Sequence, residues 1–156
     1  MKNILVPVDF SPATDAVVQE AIALAKVLPA RVVLLAIIQP PLVVSEYGPL
    51  MGDLIEITSA GEKHAAKQLA RLKEKMRGQS IKAEGIQFTG MPIGLIIEQA
   101  KKLEADYIVM GSHGHTALYD LLVGSTTHGV LMRAACPVVI VPSLKAAKAR
   151  KGAKGK

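Results

Sequence analysis

Two kinds of apolar pattern alternate along this chain. In the first, apolar residues run without interruption: Ile4-Leu5-Val6-Pro7-Val8, Val32 to Ile38, Tyr107 to Met110 and Val138 to Val141. Such runs suit strands covered on both faces of a sheet. In the second, apolar residues recur every three or four positions, as on one face of a helix. Ala13, Val17, Ala21, Leu24 and Leu28 form one such stripe, ended by Pro29, with Ser11 expected as N-cap and Pro12 as first helical residue. Ala65, Leu69, Leu72 and Met76 form a second, with Gly78 expected as its C-terminal cap. Ile93, Ile96, Ile97, Ala100 and Leu103 form a third, entered through the turn "TGMP" at 89–92. A weaker strand is expected from Ile81 to Phe88, at an edge and bulged at Gly85-Ile86, where its alternation breaks. "QPPLVVSEYGPLMGD" (39–53) reads as a long loop, and Gly124 to Ala134 as a largely helical segment. The order β-α-β-α-β-α-β-α-β predicts an α/β protein: a five-stranded parallel open sheet with helices on both faces, in a single domain.

Length agrees with that reading, because 156 residues are enough for one well-cored domain. No apolar run approaches the roughly 18 residues of a membrane span. The opening "MKNILVPVDF" lacks the apolar block and cleavage site of a signal peptide, so a soluble cytoplasmic protein is expected. Cys136 is the one cysteine, which excludes an internal disulfide. The net charge of +6 suggests nucleic acid until it is located. Six of the nineteen basic residues lie in "KAAKARKGAKGK" (145–156); nineteen less six leaves thirteen, equal to the thirteen acids. The folded part, residues 1–143, is therefore neutral, and the segment 144–156 is expected to be a basic, disordered tail able to touch acidic partners or nucleic acid.

In open parallel sheets, ligands bind beyond the carboxyl ends of the strands, where the strand order reverses. Two strand ends here carry suggestive residues. One is Pro7-Val8-Asp9; the other opens "GSHGHTALYDLLVGST" (111–126). Gly111 and Gly114 allow close backbone approach or positive φ, and Gly124-Ser125-Thr126 would offer free N–H groups and two hydroxyls at a helix start. These features suit a nucleotide held by backbone. No G-x-x-x-x-G-K-[ST] or G-x-G-x-x-G fingerprint is present, and glycine-rich loops also serve as plain turns, so on these grounds alone both readings stand.

Gly111, Gly114, Gly124 and Ser125 fit the pattern G-x-x-G-x9-G-[ST]. In this the sequence resembles the ATP-binding branch of the universal stress protein family. "ILVPVDFS" (4–11), "VVLLAIIQP" (32–40), "GMP" (90–92), "MGSHG" (110–114) and "CPVVIVP" (136–142) extend the resemblance over residues 1–143. It implies a Rossmann-like, adenine nucleotide alpha-hydrolase-like fold that binds ATP. Asp9 is then expected to hold the adenine and ribose side, with Pro7 and Val8 along the wall and Ile37 offering its backbone to the adenine edge. Gly111 would lie against the ribose, and Met110 is also expected among the nucleotide-binding residues. Gly114, Gly124, Ser125 and Thr126 would take the phosphates, with Mg²⁺ or Mn²⁺ bridging their oxygens. The resemblance also implies a homodimer through Val138, Val139, Ile140 and Val141.

Other residues have plainer expectations. His113, His115 and His128 match no metal spacing and read as surface histidines. Asp9 could merely cap a turn with Ser11, but its place at a strand end favours a ligand. Cys136 reads as an inert packed thiol, and Met51, Met76, Met91, Met110 and Met132 as core fillers. The leading function is a nucleotide-dependent regulatory, stress-response protein that is not an enzyme. The alternatives are a slow ATPase, for which no general base is evident, and a nucleotide-free interaction module.

Overall fold

The computed structural model describes residues 1–40, 51–113 and 123–142. The basic tail, Gly114 and most of the loop after the second strand lie outside them. The elements run β1 (Lys2–Val8), α1 (Thr14–Val27), β2 (Ala30–Ile38), α2 (Met51–Arg77), β3 (Ala83–Thr89), α3 (Pro92–Lys102), β4 (Tyr107–Gly111), α4 (Ser125–Leu131) and β5 (Val138–Val141). All strand pairs are parallel, in the order β3-β2-β1-β4-β5. The chain builds outward from β1 to β3, then returns to the other side of β1. The order therefore reverses between β1 and β4.

Two cores flank the sheet, and the alternation within the strands assigns residues to them. Ile4, Val6, Val32 and Leu34 point to α1 and α2, against Val18, Ala21, Leu72 and Met76. Leu5, Val33, Leu35 and Ile108 point the other way, against Ile96 of α3 and Val130 of α4. The central strands are apolar at successive positions because both faces are covered. Each of these buried aliphatic side chains contributes about 2 kcal/mol by leaving water.

The β1–β4 seam is narrow. Its register pairs are Ile4 with Tyr107 and Leu5 with Ile108, whereas β1 and β2 pair from Lys2–Ala30 through Val8–Ala36. Polar groups clamp the start of that seam. Asp106 accepts hydrogen bonds from the Asn3 N–H (2.8 Å) and from Lys2 Nζ (2.7 Å), and its own N–H donates to the Asn3 carbonyl (2.8 Å). The Lys2 ammonium, then the Asn3 N–H, hold the Asp106 carboxyl below its usual range.

Several local expectations change. β3 is an edge strand, as expected, but it pairs residue for residue with β2 from Val32–Ala83 to Ile38–Thr89, so there is no bulge. Helix α2 begins at Met51, inside the segment read as loop. After α2 the left-handed conformation falls on Ser80 (φ 63°) and not on Gly78, whose N–H simply continues the helical pattern to the Glu74 carbonyl. Helix α4 stops at Leu131. Met91 and Met132 are 73% and 70% exposed, so they fill no core, while Met76 and Met110 are buried. Among the described residues no helix is long and apolar enough to cross a membrane.

Candidate functional site

A cavity of about 370 Å³ opens where the strand order reverses. It lies past the carboxyl ends of β1, β2 and β4 and against the start of α4. Pro7, Val8, Asp9, Ile37, Met110, Gly111, Gly124, Ser125 and Thr126 all line it. Of the site residues expected from sequence, Gly114 alone lies outside the described residues.

The β1 end turns sharply. Phe10 adopts φ 59°, a left-handed conformation costing a non-glycine residue about 1 kcal/mol or more. Its ring packs edge-on against His64 of α2, with centroids 5.9 Å apart. Asp9 Oδ1 accepts the Ser11 N–H at 3.0 Å and the Thr14 hydroxyl at 3.4 Å. Asp9 thus organises the entry to α1 and also lines the cavity. Ser11 is not the side-chain cap expected of it. Helix α1 starts at Thr14 after Ala13, and it is the Ser11 carbonyl that accepts the Thr14 N–H, at 3.0 Å.

The β4 end and the start of α4 are locked together. Gly124 N–H donates to the Ser112 carbonyl at 2.7 Å, and the buried Thr127 hydroxyl donates to the Gly111 carbonyl at 2.8 Å. Both glycines matter through space and not through φ. Gly124 is extended at φ −67°, and a Cβ there would stand 3.3 Å from the Ser112 carbonyl oxygen. A Cβ on Gly111 would stand 3.2 Å from the His113 carbonyl oxygen. Positive φ, one of the two reasons expected for glycine here, is not what Gly111 and Gly124 supply.

The cavity has two characters. Val8, Leu35, Ile37, Pro92, Ile96 and Met110 give an apolar slot suited to a flat ring, while Ser125, Thr126, Thr127 and the backbone near Gly124 give a polar end. Pro92 and Ile96 of α3, Thr14 of α1 and Thr127 escaped the sequence reading. So did His113, expected at the surface but half-buried in the cavity wall. The only available signal was adjacency: His113 and Thr127 flank residues already singled out. Cys136 is half-buried, and burial pushes its thiol pKa up, which suits an unreactive group.

A five-stranded, doubly wound sheet with a split apolar and polar crevice at its switch point defines the class: a Rossmann-like α/β protein with a ligand-sized site. The family model described as Universal stress protein family matches residues 1–142, and the chain belongs to that family. Universal stress protein MJ0531 of Methanocaldococcus jannaschii is 30% identical over 144 residues, 92% of this chain and 84% of that protein. The structure of universal stress protein UspA from Lactobacillus plantarum superposes with a TM-score of 0.80 at 29% identity, covering 90% of this chain and 97% of that one. A universal stress protein solved in complex with cAMP shares the fold, with a TM-score of 0.68 at 21% identity over 90% of this chain and 96% of that one.

Proposed function

We propose that this protein binds an adenine nucleotide, ATP with Mg²⁺ or Mn²⁺, and acts as a nucleotide-dependent regulator in a stress response. The observation that carries the reading is the convergence of Pro7–Asp9, Ile37, Met110–Gly111 and Gly124–Thr126 on one cavity with an apolar slot and a hydroxyl-lined end. A flat base in the slot would bury apolar area, and its edge would meet the backbone near Ile37. Phosphates would meet the Ser125 and Thr126 hydroxyls, with backbone approach made possible by the missing side chain of Gly124. The divalent ion would arrive on the phosphates. Asp9 and the two hydroxyls are oxygen donors of the kind such an ion takes alongside phosphate oxygens. The existence of a family member complexed with cAMP agrees with an adenine ligand here.

Turnover in this reading is slow, because the described lining holds no lysine or arginine to stabilise a transferring phosphoryl group. The protein would pair with a second copy across the outer edge of β5, and its tail would remain free for an acidic partner. Calorimetry with Mg-ATP and Mg-GTP tests the proposal: ATP should bind and GTP should bind more weakly. No heat with either at about 1 mM would refute nucleotide binding at any useful affinity. Phosphate release above about 1 s⁻¹ would replace the regulatory reading with an enzymatic one.

A further inference from the structure

A second cavity, of about 430 Å³, opens between the β1–α1 turn and the second half of α2. The turn side brings Ser11, Thr14 and Asp15 to it, and α2 brings His64, Gln68 and Arg71. The edge-on contact of Phe10 with His64 ties the two sides together. Ser11 and Thr14 also line the first cavity, whereas no described residue of α2 does. The turn is therefore a wall between two chambers, and α2 serves the second one alone.

Donors are in excess in this second chamber. Arg71 Nε donates to Gln68 Oε1 at 3.2 Å. That bond engages the carbonyl oxygen of the Gln68 amide. Its N–H groups, and both terminal nitrogens of Arg71, meet no acceptor among the described residues. The one acid of the lining is already engaged: Asp15 Oδ1 accepts from Lys75 Nζ at 2.9 Å, so it does not take the guanidinium. Ser11 is only 6% exposed, and its hydroxyl is buried with no partner among the described residues. Native proteins rarely leave a buried polar group in that condition. Helix α1 starts beside it at Thr14, and a helix start adds partial positive charge.

We propose that this cavity binds a small oxyanion, a phosphate or a carboxylate, held by the Arg71 guanidinium and the Gln68 amide against the start of α1. The guanidinium is planar and always charged, and its fork matches two oxygens of such an anion at once. The same anion offers the Ser11 hydroxyl an acceptor. The site goes beyond the nucleotide reading and does not depend on it, because it uses neither the apolar slot nor the hydroxyls of α4.

Isotope-labelled full-length protein is titrated with inorganic phosphate and, separately, with succinate, against sodium chloride of equal ionic strength. The nuclear magnetic resonance reporters are the Arg71 Nε–H, the Gln68 side-chain amide and the backbone N–H groups of Asp15 and Ala16. At least one of the two oxyanions should move them along saturable curves, and chloride should not. Arg71→Gln should weaken binding about tenfold, the worth of a charge-assisted hydrogen bond, and Ser11→Ala about threefold. Lys67→Gln removes an exposed charge of α2 that lies outside the cavity, and should change affinity less than about twofold. Gly124→Val, which fills the polar end of the first cavity, should leave the curves in place. Reporters that do not saturate with either oxyanion, or that move equally in chloride, would overturn the assignment. So would affinities of Arg71→Gln and Ser11→Ala within about twofold of the parent's, or an equal loss in Lys67→Gln. Curves lost in Gly124→Val would move the anion to the first cavity and end the proposal.

Discussion

Gly129 offers a quantitative test of how tightly α4 is seated. It is buried, and a Cβ built there would stand 2.4 Å from Cδ1, 3.0 Å from Cγ1 and 3.3 Å from Cγ2 of Ile93 on α3. Two effects of Gly129→Ala oppose each other. Alanine favours the helix by about 1 kcal/mol. Overpacking a filled contact costs about 1–3 kcal/mol, and only Cδ1 can swing clear, because both Cγ atoms are fixed to the Ile93 Cβ. The clash should win, leaving a net loss of about 1 kcal/mol, or about 2–4 °C in Tm. The sign should reverse once Ile93 is shortened. In an Ile93→Ala background all three offending atoms are gone, and Gly129→Ala should stabilise by about 1 kcal/mol. The coupling between the two sites is then about 2 kcal/mol, within the range seen for touching residues. The chain contains no tryptophan, so urea unfolding is best followed by far-UV circular dichroism, at one protein concentration throughout. Equal effects of Gly129→Ala in both backgrounds, to within about 0.5 kcal/mol, would show that α3 and α4 are not in the close contact described.

Gly124→Val should leave the far-UV spectrum unchanged and weaken ATP at least tenfold by calorimetry. The required space lies 3.3 Å from the Ser112 carbonyl, and unaltered affinity would reduce this loop to a plain turn. The Asp106 carboxyl is held below its ordinary pKa by Lys2 and by the Asn3 N–H, so its contribution is fully present above the usual carboxylate range and is lost as pH falls through the depressed value. Urea midpoints of the parent should therefore fall between about pH 5 and 2, and Asp106→Asn should flatten part of that limb; identical limbs would remove Asp106 from the acid response. Val139→Lys and Val141→Lys put charge on the β5 edge and should turn a dimer into a monomer by light scattering, in full-length chain and in residues 1–144 alike. A monomeric parent would refute assembly through β5.

The strands were legible because burial on both faces leaves an unbroken apolar signature, as at Val32 to Ala36, all buried. The core-facing part of α2 was legible from Ala65 onward for a similar reason. Its first turns were not: Ile55 and Ile57 are 66% and 52% exposed, so no stripe marks the helix there. The bulge in β3 was misread because Gly85 breaks the alternation without breaking the pairing. A Cβ there would stand 3.3 Å from Leu69 Cβ, so the glycine serves the approach of α2. The cavity residues on strand ends followed from the switch-point rule, which needs only the order of elements. Those on helices, Pro92, Ile96 and Thr127, depend on how α3 and α4 lean over the sheet. His113 lines the cavity with its Nδ1 3.1 Å from the Ser112 hydroxyl, a placement that no spacing in the chain encodes.

The narrow β1–β4 seam has a consequence in time. It joins segments as far apart as Asn3 and Asp106, 103 residues along the chain. Contacts so distant in sequence bring a large loop-closure entropy and form late unless other pairings shorten the loop. The crevice straddles this seam: Pro7–Asp9 and Ile37 come from the first-built side, Met110–Gly111 and Gly124–Thr126 from the returning one. Neither side holds a complete site, so a half-made chain emerging from the ribosome has nowhere to place a ligand of this kind. On the proposed function, competence to bind would begin only once β4 has docked on β1. A ligand bound there would then tie the two sides together and slow their parting.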